Sequence, residues 1–105
     1  MATTYIHTTH GNYLGFISGD SVFSRDGEYL GWIEGGAIIW DKDGNYRGNL
    51  HKIDGNNYIL RPVFSINPIP RIPRIPPIPP IPPIPAKNLV PIVVPLGFQD
   101  GFTGA

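Results

Sequence analysis

Short runs of alternating apolar and polar residues, separated by glycine-containing turns, fill residues 5–61. Asp26-Gly27, Asp43-Gly44 and Asp54-Gly55 are typical of tight hairpin turns, because glycine adopts positive φ there at little cost. No window of ten residues shows the 3.6-residue period of a helix. The pattern therefore predicts an all-β protein, built as an antiparallel meander of about seven short strands.

A motif of the form Gly-x-Tyr-x-Gly recurs within this meander. It occupies residues 11–15, 27–31 and 44–48, at spacings of 16 and 17 residues, about the length of one hairpin. Strict alternation along a strand predicts that the tyrosine, the second glycine and the following Ile or Leu face the interior. The residues between them form a second apolar face, which water should not contact and which another segment is expected to cover. In the first two copies this second face consists of Leu14, Phe16, Leu30 and Trp32.

After the meander, isoleucine recurs at every third position, at Ile66, Ile69, Ile72, Ile75, Ile78, Ile81 and Ile84. Most positions between them are proline, and polyproline II has three residues per turn, so the isoleucines would form one edge of a left-handed rod. At ~3.1 Å per residue the rod would be roughly 55 Å long, longer than a small domain is wide. We expect its apolar edge to bind β faces, a second copy or a partner. Arg71 and Arg74 lie off this edge, so their replacement by proline is expected to be nearly neutral.

Composition divides the chain into three segments. Residues 1–62 form the β-meander repeat domain, residues 63–86 the Ile-Pro-x polyproline II segment, and residues 87–105 an apolar C-terminal docking segment. Within the last segment, residues 89–96 are apolar and β-branched, and their prolines restrict them to the edge of a sheet. The sequence therefore predicts a C-terminal edge strand there.

Charge and composition exclude several functional classes. The formal net charge is zero, only 15% of residues are charged, and there is no cysteine. No basic patch could neutralise phosphates, and no apolar stretch approaches the ~20 residues of a membrane span. The N-terminus lacks the pattern of a signal peptide. We therefore predict no nucleic-acid or membrane binding and a cytoplasmic location by default, with an extracellular or surface assembly left open.

Candidate catalytic and metal sites are weak in this sequence. Residues 41–45 place oxygen side chains as the start of a calcium loop does, but Tyr46 stands where such a loop needs glycine. A tight hairpin turn is the favoured interpretation. His7 and His10 lie three apart in an extended segment and would point to opposite faces. With no nucleophile or phosphate-binding motif either, we predict no enzymatic activity, catalytic residue, metal or cofactor.

The three Gly-x-Tyr-x-Gly hairpins, with Ile39-Trp40-Asp41 between the second and third, resemble the four-fold β-flower proteins of bacteria. The resemblance covers residues 11–61. It implies a small β-meander domain that associates as a tetramer. The family has no assigned activity, so the resemblance transfers no catalytic residue.

These observations predict a structural protein that self-assembles through its β faces and the isoleucine edge. The predicted interface consists of the seven isoleucines together with Leu14, Phe16, Leu30 and Trp32. A tetramer, or an open filament built by docking of the C-terminal segment onto a neighbour, would satisfy this prediction. Two alternatives stay open: an adaptor that presents its proline-rich segment to a partner's groove, and an aromatic platform that binds a sugar or another ligand.

Overall fold

The computed structural model describes residues 3–63, 68–78 and 81–102, so the predicted interface residue Ile66 lies outside the described residues. Over these ranges the regular secondary structure is entirely β, which confirms the predicted fold class. Eight strands form one sheet: β1 Thr4–His7, β2 Tyr13–Ser18, β3 Ser21–Ser24, β4 Tyr29–Glu34, β5 Ile38–Asp41, β6 Tyr46–Ile53, β7 Asn56–Pro62 and β8 Phe98–Asp100.

The sheet follows the order of the chain and closes on itself. Each strand pairs antiparallel with the next. β1 also pairs in parallel with the first half of β7, where Ile6 lies opposite Asn57. The second half of β7 pairs with β8, where Leu60 lies opposite Asp100. The result is a closed, barrel-like sheet of seven strands in which β8 continues the seam beside β1.

A β-bulge in each copy of the repeat changes which side chains face the interior. In β2, β4 and β6 the pairing skips the residue between tyrosine and glycine, which is Leu14, Leu30 or Arg47. A bulge inserts one extra residue, so the alternation of faces shifts at that point. The expectation that the tyrosine shares the interior face is therefore wrong for Tyr13, Tyr29 and Tyr46.

The interior of the closed sheet is aliphatic. Its buried cluster consists of Ile6, Leu14, Ile17, Val22, Ile33, Ile39 and Ile59, with Leu30, Leu50 and Phe102 packed against it. The Ile or Leu that follows each repeat is in this interior, as predicted. The bulge also brings in Leu14 and Leu30, which strict alternation had placed on the second face.

The outer face of the sheet carries most of the aromatic side chains. Phe16 lies opposite Phe23, and their rings stack with centroids 5.3 Å apart. Trp32 lies opposite Trp40 in the next strand pair. These four side chains point away from the interior, yet each is at most 2% exposed. We call the outward aromatic residues the aromatic girdle: Tyr13, Phe16, Phe23, Tyr29, Trp32, Trp40, Tyr46 and Tyr58.

The segment that covers the girdle is residues 68–78 and 81–96 of the same chain, which we call the belt. It contains neither helix nor strand. The whole molecule measures 36 × 34 × 23 Å, whereas the belt's contour at ~3.1 Å per residue is roughly 90 Å. The belt is therefore curved around the sheet, and the expectation of a straight rod is wrong.

The C-terminal edge strand begins later than the sequence predicts. Residues 89–96 form no strand, and β8 is Phe98–Asp100. Pro91 and Pro95 have no N–H to donate to a neighbouring strand, which prevents a regular ladder in that segment. Strand pairing resumes only after Gly97.

Candidate functional site

Two equivalent glycines of the repeat hold the belt against the sheet. The N–H of Arg71 donates to the Gly44 carbonyl at 2.8 Å, and the N–H of Leu89 donates to the Gly11 carbonyl at 2.7 Å. Gly44 and Gly11 have φ of 88° and 92°. A Cβ on either would lie 1.9 Å or 2.0 Å from the carbonyl oxygen of the belt residue. The first glycine of the motif thus serves both the turn and the close approach of the belt.

The two arginines of the belt stack on the girdle. The guanidinium carbon of Arg71 lies 5.1 Å from the centroid of the Trp40 ring, and that of Arg74 lies 5.0 Å from Trp32. Arg71 also pairs with Glu34 at 3.0 Å. Proline would remove both stacked cations and the N–H that binds Gly44. From these contacts we expect a measurable loss of stability on replacement by proline, in place of the nearly neutral effect expected from the sequence.

Hydrogen bonds from β1 and the turn after it hold the C-terminal part of the belt. With the ring nitrogen protonated, His7 Nε2 donates to the Lys87 carbonyl at 2.9 Å. The N–H of Ile92 donates to the Thr9 carbonyl at 2.9 Å. The Thr9 hydroxyl in turn donates to the Asp100 carboxylate at 2.7 Å. These contacts fix the end of the belt where β8 begins.

The isoleucines of the belt point away from the sheet. Ile69, Ile72, Ile75, Ile78, Ile81 and Ile84 are 86–93% exposed. The same step of three residues continues through Lys87 to Val90, Val93 and Leu96, which are 83–101% exposed. We call these nine apolar side chains the outward row. The interface predicted from the sequence omitted Val90, Val93 and Leu96, although the three-residue interval continues past Ile84 to all three.

The predicted interface residues thus lie in three places. The six described isoleucines belong to the outward row. Phe16 and Trp32 lie in the aromatic girdle beneath the belt, and Leu14 and Leu30 lie in the interior. The last four are covered within one molecule: the closed sheet encloses Leu14 and Leu30, and the belt lies over the outer face that carries Phe16 and Trp32.

The outward row is large for a single soluble molecule. At roughly 100 Å² of apolar surface per side chain, nine side chains expose on the order of 900 Å². The largest apolar patch on a typical monomer is about 300–600 Å². The exposed apolar area of the row is therefore larger than the largest apolar patch of a typical monomer.

Burial raises the pKa of tyrosine side chains in the girdle. Desolvation is the largest cause that raises the pKa of four tyrosines: Tyr13, Tyr29, Tyr46 and Tyr58. The hydroxyl of Tyr13 is buried and has no hydrogen-bond partner among the described residues. The neutral phenol is therefore the form that the covered girdle accommodates.

A concave region flanks Phe102 at one end of the sheet, with cavities of about 400 and 480 Å³. Asp41, one of the acidic residues that line it, is already engaged. One carboxylate oxygen accepts from the N–H groups of Asp43 and Asn45, and the other pairs with Arg47 at 2.9 Å. This geometry is a tight turn, as the sequence favoured over a calcium loop. Within the described ranges no group of three or more His, Asp or Glu residues could hold a metal ion.

The comparisons with known proteins agree with the fold. A family model described as 4-fold beta flower protein matches residues 1–93, which includes most of the belt. No curated protein and no solved structure matches the chain. Across the part of the chain that the structure describes, no helix has the length and apolar character needed to cross a membrane. With a match over most of its length, the chain belongs to the 4-fold beta flower family.

Proposed function

We propose that this chain is a non-enzymatic structural protein that self-assembles through the outward row. The observation that carries the proposal is the 86–93% exposure of the six described isoleucines, in a protein whose Phe16, Phe23, Trp32 and Trp40 side chains are at most 2% exposed. Leaving that much apolar surface in water is unfavourable at about 25 cal/mol per Å². Association that buries the row recovers this free energy.

The composition of the row favours a second copy of the chain as the partner. Six positions carry the same side chain at the same interval, so a shift by one interval presents nearly the same surface. Such a surface holds little information with which to select one foreign partner. Lys87 is the only charged residue at this interval, so charge complementarity offers little selection either. A periodic row is, however, complementary to another periodic row.

The adaptor alternative finds less support. A proline-rich ligand is recognised when its ridges enter an aromatic-lined groove of the partner. Here Arg71 and Arg74 stack on Trp40 and Trp32 of the same molecule. The belt would have to leave its own girdle before a foreign groove could take that side of it.

The test is the solution mass of the full chain by light scattering, compared with the double variant Ile75→Asp and Ile78→Asp. Both positions are more than 90% exposed, so the variant should fold as the parent does. Two buried carboxylates at the contact would cost several kcal/mol, so the variant should be monomeric at concentrations where the parent is assembled. Near-ultraviolet circular dichroism of the tryptophans under the belt checks the fold.

The matched control adds two carboxylates elsewhere, as Asn12→Asp and Gln99→Glu, both at exposed positions outside the row. It should assemble like the parent. Equal assembly by all three proteins, or a monomeric parent at every concentration, would overturn the proposal. Truncation after Arg61 is a poorer test, because it would uncover the aromatic girdle and cause aggregation for an unrelated reason.

A further inference from the structure

The course of the belt bears on how many neighbours an assembled copy needs. Resting on the proposed self-assembly, we infer that copies pack side by side, each with several neighbours, into an open layer one molecule thick. Further copies of this chain thus cover the outward row. A closed ring is not the expected product.

The belt contacts the sheet at points spread around its circumference. Arg71 binds Gly44 in the turn between β5 and β6, and Arg74 stacks on Trp32 of β4. Leu89 binds Gly11, in the turn between β1 and β2. The chain then returns to β7 through β8. Because β1 and β7 are joined in the closed sheet, the outward row follows most of the molecule's perimeter.

The perimeter is convex, and this limits what one neighbour can cover. Half of the 36 Å dimension gives a radius of 18 Å. When two such edges touch at one point, the gap between them grows to about 4–5 Å at roughly 9 Å to either side of that point. A gap of this size is the limit of apolar contact. The contact arc is then roughly 18 Å, or about six belt residues at ~3.1 Å each. One neighbour therefore covers about two positions of the row.

A contact of this size is weak by itself. Two side chains bury on the order of 200 Å² per copy, whereas a stable interface buries about 800 Å² per partner. Several contacts on one copy act together, because each neighbour already bound raises the effective concentration of the next. Covering the row therefore requires neighbours on several sides.

A ring and a layer differ in how much of the row they cover. In a closed ring each copy has two neighbours, so the arc that faces outward stays exposed. In a layer the arcs on all sides meet other copies. A belt that surrounds the sheet widens the molecule in the directions in which its neighbours lie, so we assign the 36 and 34 Å dimensions to the layer plane and the 23 Å dimension to its thickness.

The experiment compares the full chain with three arc variants, each carrying two aspartates in a different part of the row. The variants are Ile69→Asp with Ile72→Asp, Ile78→Asp with Ile81→Asp, and Val90→Asp with Val93→Asp. Mass is measured by light scattering against concentration, and particle height by atomic force microscopy. We expect the parent to give flat particles whose mass rises with concentration. Each arc variant should reduce that mass severalfold without abolishing assembly. A sixfold variant, which combines all six of these substitutions, should be monomeric.

The outcomes separate this inference from the proposed function. A parent of one fixed small mass, together with at least one arc variant that is silent, would overturn the layer but leave assembly through the row intact. Loss of all assembly in a single arc variant would likewise overturn the layer in favour of one localised contact. Unchanged assembly by the sixfold variant, or a parent that stays monomeric, would overturn the proposed function itself.

Discussion

Gly11 and Gly44 illustrate how one residue type can meet two requirements at once. Each begins a copy of the repeat, with the positive φ that its turn needs, and each also touches the backbone of the belt. The turn requirement was readable from the dipeptide Asp43-Gly44. The contact was not, because nothing in residues 41–48 shows that another segment passes within van der Waals distance of Gly44.

We expect Gly44→Ala to destabilise the protein by about 3 kcal/mol. Positive φ costs an alanine roughly 1–2 kcal/mol, and the new Cβ would also displace the belt at Arg71. The matched control is Gly36→Ala, where φ is also positive at 72° but nothing lies within 4 Å of the Cβ. The free energy of unfolding from denaturant titration measures both. Equal losses in the two variants would mean that the belt does not press on Gly44.

Arg71 makes three contacts of different kinds. Its N–H binds Gly44, its guanidinium stacks on Trp40, and its exposed ion pair joins Glu34. We expect Arg71→Pro to cost about 2 kcal/mol, from one lost hydrogen bond and one cation–π contact. Glu34→Gln removes only the exposed pair and should cost less than ~0.5 kcal/mol. Denaturant unfolding compares the two, and a larger loss for Glu34→Gln would contradict the geometry.

At the scale of elements, the β-bulges and the belt decide which residues face where. The alternation of apolar residues correctly predicts hairpins and strands, because each run is short and glycine marks its ends. It assigns the faces incorrectly around Leu14 and Leu30, since one extra residue per repeat reverses the alternation. The orientation of the belt could not be predicted either. The three-residue period of the isoleucines is visible in the sequence, but the direction in which they point depends on the aromatic girdle, against which the opposite side of the belt packs.

The length of the belt should match the distance between its two anchors. Arg71 and Leu89 are 18 residues apart and bind two fixed glycines of the sheet. Deleting residues 75–77 removes about 9 Å of contour, so both anchors cannot form together, although the period of three is kept. Inserting one more Ile-Pro-Pro triplet leaves both anchors within reach at a small entropic cost. We expect a lower melting temperature for the deletion than for the insertion, and equal values would argue against a fitted belt.

The covered girdle should make stability sensitive to alkaline pH. The raised pKa of Tyr13, Tyr29, Tyr46 and Tyr58 means that folding favours the neutral phenol. Their contribution is therefore complete below the unfolded pKa of about 10 and is lost as pH rises through the higher folded value. Circular dichroism and tyrosinate absorbance, followed together, should show unfolding and ionisation in one transition. Ionisation of all tyrosines without unfolding would contradict their burial.

Tyr13→Phe provides the corresponding single-residue test. The variant removes a buried hydroxyl that has no partner among the described residues. It should leave stability near neutral pH unchanged or raise it by about 1 kcal/mol, and it should delay the alkaline transition. A loss of more than ~1 kcal/mol would show that the hydroxyl is bonded after all.

At the scale of the whole molecule, a closed sheet with an aliphatic interior carries an aromatic outer face. The belt covers that face and exposes an apolar row of its own. The all-β class and the three-residue spacing of the isoleucines were readable from the sequence. The closure of the sheet was not, because it depends on pairing between the distant strands β1 and β7.

The most direct test uses the absence of cysteine in this chain. Ile75→Cys places a single thiol in the outward row, and Lys52→Cys places one at an exposed position outside it. If copies assemble through the row, the thiol at position 75 reacts fast in dilute protein and progressively more slowly as concentration rises, while the thiol at position 52 reacts at a constant rate. A rate at position 75 that does not change with concentration would contradict assembly through the row, and a slow rate even at high dilution would contradict its outward orientation.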